Sequence, residues 1–118
     1  MWGEFITVAE TPTFIRQAES IWNDEERAAF VEFIARNPEA GNVIPETGGV
    51  RKVRWAMQGR GKRGGTRVIY FFHSRDVPIY LLMVYTKGAI SPEAKKVVRQ
   101  FAARIKQAQR RHAGRRRP

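Results

Sequence analysis

Two stretches of this chain, Thr66–Ser74 (TRVIYFFHS) and Ile79–Thr86 (IYLLMVYT), are almost continuously apolar, and only Arg75-Asp76-Val77-Pro78 separates them. β-branched and aromatic residues dominate both, which marks them as strands, and the short polar connection with its proline is a hairpin turn. Strands apolar on both faces belong in the middle of a sheet that is covered on both sides. The rest of the chain must therefore supply the cover.

It does so on both sides of the hairpin. Glu4–Val8 reads as a short first strand. Thr11-Pro12 is an N-cap followed by proline at the first helical position, and Phe14, Ile15, Ala18, Ile21 and Trp22 follow at roughly helical spacing. Asn23 or Asp24 caps a second helix, with Glu25 and Glu26 in its first turn and Ala29, Phe30, Phe33 and Ile34 as one apolar stripe. Asn37-Pro38 ends it, and a loop runs to Gly48-Gly49. From Val50 the period becomes two: Val53, Trp55 and Met57 face one way, and Lys52, Arg54 and Ala56 the other. A glycine-dense stretch, Gln58–Gly65, leads to the hairpin. After it, Ser91-Pro92-Glu93 opens a last helix whose apolar side is Val97, Val98, Phe101, Ile105 and Ala108, with Gly114 as its end. The order β-α-α-β-β-β-α describes a small α+β domain with a mainly antiparallel sheet. Residues 1–113 form the domain, and residues 114–118 are expected to be a disordered basic tail.

Charge is divided unevenly along this framework. Residues 1–46 hold nine acids and three bases, a net of −6, whereas residues 47–118 hold nineteen bases and two acids, Asp76 and Glu93, a net of +17. Residues 47–75 and 94–118 contain no acid at all. A surface this one-sided favours a polyanion, and nucleic acid is the commonest one.

Several chemistries are excluded. The chain has no cysteine, so a disulfide scaffold, a thiol nucleophile and cysteine-ligated metal are out. Two histidines, His73 and His112, do not make a histidine-rich metal centre. No G-x-S-x-G, H-E-x-x-H or carboxylate pair stands out, and no cofactor is implied. The apolar run Ile79–Tyr85 is too short to cross a bilayer, and Met1-Trp2-Gly3-Glu4 does not open a secretory signal, so a cytoplasmic location with no membrane partner is expected.

Gly59-Arg60-Gly61-Lys62-Arg63-Gly64 satisfies G-x-G-x-x-G, but a strand follows it and no βαβ unit surrounds it. It reads instead as a loop with Arg60, Lys62 and Arg63 on permissive backbone, suited to following phosphates or, equally, as a mobile hairpin connection with solvated charges. Arg67 is more specific, because it interrupts an apolar strand where a cation is costly unless it is paired or faces a site. Lys52 and Arg54 share a face of a neighbouring strand, and Tyr85 and Lys87 share one near the end of the last strand. Strands paired in sequence order would bring these groups onto one surface. His73 reads as a structural histidine on a buried strand. Trp2, Trp22 and Trp55 read as core or interface residues, with base stacking by Trp55 as the alternative.

Three segments, Thr47-Gly48-Gly49-Val50-Arg51-Lys52-Val53-Arg54, Gly59–Phe71 and Tyr80–Lys87, resemble the RelE/HigB toxins of bacterial type II toxin–antitoxin systems, the HigB branch above all. The resemblance spans about residues 5–110 and implies a RelE-like, microbial-ribonuclease-type fold. It further implies an mRNA interferase: a metal-independent endoribonuclease that inhibits translation by cutting mRNA in the ribosomal A site through attack of the ribose 2′-hydroxyl. Arg67 matches the family's strand arginine at the scissile phosphate, Lys52 and Arg54 its basic strand positions, and Lys87 the lysine after the last strand. Catalytic candidates are Arg67, Lys87, Arg54, Lys62 and Tyr85; Arg51, Lys52, Arg60 and Arg63 are candidates for binding RNA or the ribosome. The implied partners are the ribosome with its 16S rRNA, mRNA, a cognate helix-turn-helix antitoxin encoded alongside, and operator DNA through the antitoxin complex. Gly88 stands where several relatives have arginine, and no tyrosine follows Tyr85, so the general base stays open among Lys87, Lys62 and Tyr85. The alternatives are a non-enzymatic gyrase inhibitor of the same superfamily, which would lack these cations, and a basic nucleic-acid-binding module, for which no helix-turn-helix or RNP-like pattern is present.

Overall fold

In a computed structural model, residues 5–55 and 65–115 are described. Five strands form one sheet in the order β1-β5-β4-β3-β2: β1 (Val8–Glu10), β2 (Asn42–Val43), β3 (Val50–Trp55), β4 (Thr66–Phe71) and β5 (Ile79–Tyr85). Three helices accompany them: α1 (Pro12–Glu19), α2 (Asp24–Arg36) and α3 (Pro92–Arg115). β1 runs parallel to β5, and all other pairs are antiparallel. The chain is thus an α+β fold with a mostly antiparallel sheet and β3, β4 and β5 adjacent in sequence order.

Local chemistry explains most element ends. Thr11 caps α1 with Pro12 in its first turn, and Thr11 Oγ1 also donates to the Leu81 carbonyl at 2.8 Å, fixing the helix to β5. Asn23 caps α2 in a full capping box: Asn23 Oδ1 accepts from Glu26 N–H at 2.8 Å, and Glu26 Oε1 accepts from Asn23 N–H at 2.9 Å. Ser91 Oγ accepts from Ala94 N–H at 3.1 Å at the start of α3.

Four expectations need correction. The first strand pairs over Val8–Glu10 rather than Glu4–Val8. Its lead-in is held at the far end of α2 instead, where Ile6 N–H donates to the Ala35 carbonyl at 3.1 Å. A two-residue β2 lies within the loop expected after α2, so the order is β-α-α-β-β-β-β-α. α3 does not stop at Gly114 but continues to Arg115, so the first two residues of the expected disordered tail are helical. His73 lies beyond the end of β4, exposed, with its ring stacked near Phe71 at 6.1 Å between centroids.

The sheet separates two apolar layers. On one face Phe14 and Ala18 of α1, Trp22, and Phe30 and Ile34 of α2 pack on Val53, Val68, Tyr70, Ile79, Leu81 and Val84. Trp55 joins this layer, 4.7 Å from Phe33 and 5.6 Å from Phe30 between ring centroids, which agrees with a core role. On the other face Val98 and Ala102 of α3 pack on Val50, Ile69, Phe71 and Leu82. The loop between α2 and β2 is tied down by the buried Tyr70, whose hydroxyl accepts from Gly41 N–H and donates to the Pro38 carbonyl, both at 2.8 Å. Gly41 is required there, since a Cβ would sit 2.7 Å from the Lys52 carbonyl oxygen. Among the described residues no helix is long and apolar enough to cross a membrane.

Candidate functional site on the α3 face of the sheet

β3 and β4 pair with Arg54 opposite Arg67, and β4 and β5 pair with Arg67 opposite Tyr85. Directly opposed residues of antiparallel strands point to the same face with Cβ atoms about 5 Å apart. The rung Arg54–Arg67–Tyr85 is therefore one cluster across three strands, on the face covered by α3. The next rung on this face is Lys52–Ile69–Met83. Lys52 thus lies one rung from Arg54, about 7 Å along the strand.

Tyr85 reaches this face because β5 is bulged. Ile79 and Leu81 point toward α1 and α2, and strict alternation would send Met83 and Tyr85 after them. The register instead slips between Ile69 and Tyr70 of β4: Tyr70 is opposite Leu81, but Ile69 is opposite Met83. Leu82 is the extra residue, and beyond it parity inverts, so that Val84 joins the α1–α2 layer and Tyr85 the α3 face. The Val84 N–H just past the bulge is taken by the side chain of Gln17, whose Oε1 accepts it at 2.9 Å. A residue of α1 thus steadies the strand that carries Tyr85.

The electrostatics of the rung are strained. Two guanidinium groups opposite one another repel. Among the described residues no carboxylate pairs with Arg54, Arg67 or Lys52. Arg67 Nη1 donates to the Thr86 carbonyl at 2.9 Å, which aims the guanidinium toward the end of β5. The Tyr85 hydroxyl is buried and has no hydrogen-bond partner among the described residues. Burial pushes its pKa above the usual phenol range, while the positive charges of Arg67 and Arg54 pull the other way. Tyr85 is therefore, like an ordinary phenol, a protonated donor at neutral pH. An anion laid across the rung would neutralise both arginines and give the phenol its missing acceptor.

The remaining sequence candidates fall in different places. Lys87 is exposed in the bend after β5, beside Gly88, which takes a positive φ of 85°. Arg51 lies on the opposite face and binds the loop backbone there, with Nη1 donating to the Gly41 carbonyl at 2.7 Å and the Glu39 carbonyl at 3.4 Å. It braces the fold rather than joining the cluster. Arg60, Lys62 and Arg63 lie outside the described residues, as do Trp2 and the rest of the glycine-dense loop up to Gly64. Among the described residues no group of three or more His, Asp or Glu side chains could hold a metal ion.

Sequence reasoning passed over a second group of cations. Lys95, Lys96 and Arg99 of α3 line a cavity of 490 Å³ with Glu46, Ile90 and Pro92. In the sequence these three show only as part of an acid-free stretch; their place beside Glu46 depends on the fold. Compared with known protein families, the chain matches no family model.

Proposed function

We propose that the chain is a toxin of the RelE/HigB type, with the RelE-like ribonuclease fold, and that it cleaves ribosome-bound mRNA. The cross-strand cluster of Arg54, Arg67 and Tyr85 carries this reading, and the resemblance of residues 47–54, 59–71 and 80–87 supports it. In the proposed reaction the ribose 2′-oxygen forms a bond to the adjacent phosphorus and the bond from phosphorus to the 5′-oxygen breaks. The products are a 2′,3′-cyclic phosphate and a 5′-hydroxyl. The nucleophile belongs to the substrate, so the protein has to orient it, stabilise the phosphorane and move two protons. Arg67 and Arg54 neutralise the non-bridging oxygens. Tyr85 donates a hydrogen bond to the phosphate or to the leaving 5′-oxygen; its raised pKa keeps the phenolate scarce, so it does not serve as the base. Lys87 and Lys62 are left as candidates for the base, and Lys52 and Arg63 for contacts to flanking phosphates. The retained cations weigh against a gyrase inhibitor that lacks them. Such an activity requires a neutralising partner, and a cognate antitoxin fills that role.

The test is cleavage of a short mRNA on programmed ribosomes by the purified protein. Cleavage within translated codons is expected, with cyclic-phosphate and 5′-hydroxyl ends and little cutting of the same RNA free in solution. Equal cleavage of free RNA rules out ribosome dependence, and intact RNA in both arms rules out the nuclease. Tyr85→Phe should fold with unchanged or slightly higher stability, by up to about 1 kcal/mol, because an unpaired buried hydroxyl is removed. Its cleavage rate should fall roughly a hundredfold, measured in single turnover on ribosomes. A Tyr85→Phe protein as active as the parent excludes the phenol as proton donor.

A further inference from the structure

α3 carries an ordered stripe of positive charge that the cleavage site does not use. Lys95, Arg99, Lys106 and Arg110 are spaced i, i+4, i+11 and i+15, so they fall within an arc of about 60° on the helix. The inward arc is occupied by Val98 and Ala102, and Val97 and Phe101 lie on the opposite flank, where they line an apolar groove with Leu82 and Met83. The stripe therefore runs along the flank of α3 that faces the loop between β2 and β3. Two contacts fix it there: Lys95 Nζ is 3.6 Å from Glu46 Oε1, and Lys106 Nζ lies so close to Gly48 that a Cβ on that residue would be 3.0 Å from it.

Between this flank and the loop lies the 490 Å³ cavity lined by Glu46, Ile90, Pro92, Lys95, Lys96 and Arg99. Three cations face one carboxylate, so the cleft holds an excess of positive charge. Glu46 reaches it on a left-handed backbone with φ of 65°, and its side chain is 81% exposed, a weak counter-ion that an incoming anion can displace. Among the described residues no aromatic ring lines the cleft, so these residues offer no stacking platform for single-stranded bases. α3 itself is a rod of 24 residues, about 36 Å long, which matches the backbone of a rigid duplex rather than a single phosphate.

We infer that this cleft and the stripe that continues from it bind the phosphate backbone of double-helical RNA. A-form RNA is recognised through shape and backbone more than through base edges, which suits a surface of cations without aromatic or amide readers. Glu46 acts as the internal competitor that the duplex displaces from Lys95. This is a binding surface separate from the Arg54–Arg67–Tyr85 cluster, and it goes beyond the nuclease reading.

The experiment is fluorescence anisotropy with a labelled 2′-O-methyl RNA hairpin, which keeps the A-form and cannot be cleaved by 2′-hydroxyl attack. Its outcome is therefore independent of any nuclease activity. The Lys95→Ala/Lys96→Ala/Arg99→Ala variant should bind roughly tenfold more weakly at physiological salt, with a shallower salt dependence by about two to three ions. A charge-matched variant, Arg16→Ala/Arg104→Ala/Arg111→Ala, removes as many cations away from the cleft and should lose about twofold or less. Glu46→Gln should bind about threefold more tightly. Equal losses in the two triple variants, no gain from Glu46→Gln, or tighter binding of a single strand of the same sequence overturns the assignment.

Discussion

The expected result of replacing Arg67 with alanine is loss of cleavage by roughly a hundredfold or more, in a protein that still folds. A preorganised donor at developing charge is worth about 3–4 kcal/mol in rate, and Arg67 stands at the centre of the rung between Arg54 and Tyr85. The fold should be nearly indifferent. Arg67 stands opposite a like charge, no carboxylate among the described residues pairs with it, and its hydrogen bond to the Thr86 carbonyl is at an exposed edge. Losing that bond costs about 1 kcal/mol, and relief of the repulsion with Arg54 offsets part of it. Single-turnover cleavage on ribosomes and a thermal melt are measured on the same preparation. A folded Arg67→Ala protein with parental activity excludes Arg67 from the phosphate.

The second large effect lies in the other layer. Phe30 is fully buried, 5.4 Å from Trp22 and 5.6 Å from Trp55 between ring centroids, so α2 and the sheet meet on its ring. Phe30→Ala leaves a cavity among rings that cannot collapse to fill it. It should destabilise by about 3–5 kcal/mol, which for a domain of this size lowers the thermal midpoint by roughly 12–20 °C. Val97→Ala is the control: Val97 is 60% exposed, and its truncation should cost about 0.5 kcal/mol or less. A Phe30→Ala midpoint within a few degrees of the parent contradicts the packing described. The double variant with Arg67→Ala should melt as the sum of the singles, because the two sites lie in different layers.

Elements marked by local chemistry were readable before any coordinates. Thr11-Pro12 and Ser91-Pro92 announce helix starts, and the apolar runs of β4 and β5 announce central strands. Alternation in β3 also set Lys52 and Arg54 on one face. The same alternation puts Arg51 on the other face, where it binds the Gly41 carbonyl, apart from Lys52 and Arg54. The position of Tyr85 was not readable in the same way. Counting by twos from Ile79 sends it toward α1, and the bulge at Leu82 that reverses this depends on pairing with β4 and on Gln17, residues distant in sequence. β2 has two residues and no pattern of its own; pairing with Arg51 and Lys52 alone defines it. The stripe on α3 has a legible period, but its meaning depends on Glu46 and Gly48, which only the fold brings beside it.

The separation of the two helical layers by the sheet has an effect at distances longer than any contact. α1 and α2 together carry five acids and three bases, whereas α3 on the opposite face carries eight bases and one acid. The molecule therefore has an electric dipole moment roughly normal to the sheet. Near any polyanionic surface a torque acts on such a dipole before contact, turning the α3 face inward and shortening the rotational search for an encounter. Between two copies the net charge of +11 outweighs this dipole, so the molecules repel one another, and dissolved salt screens that repulsion over about 10 Å. Purified protein should accordingly stay dispersed at low ionic strength and become more prone to self-association as salt is raised.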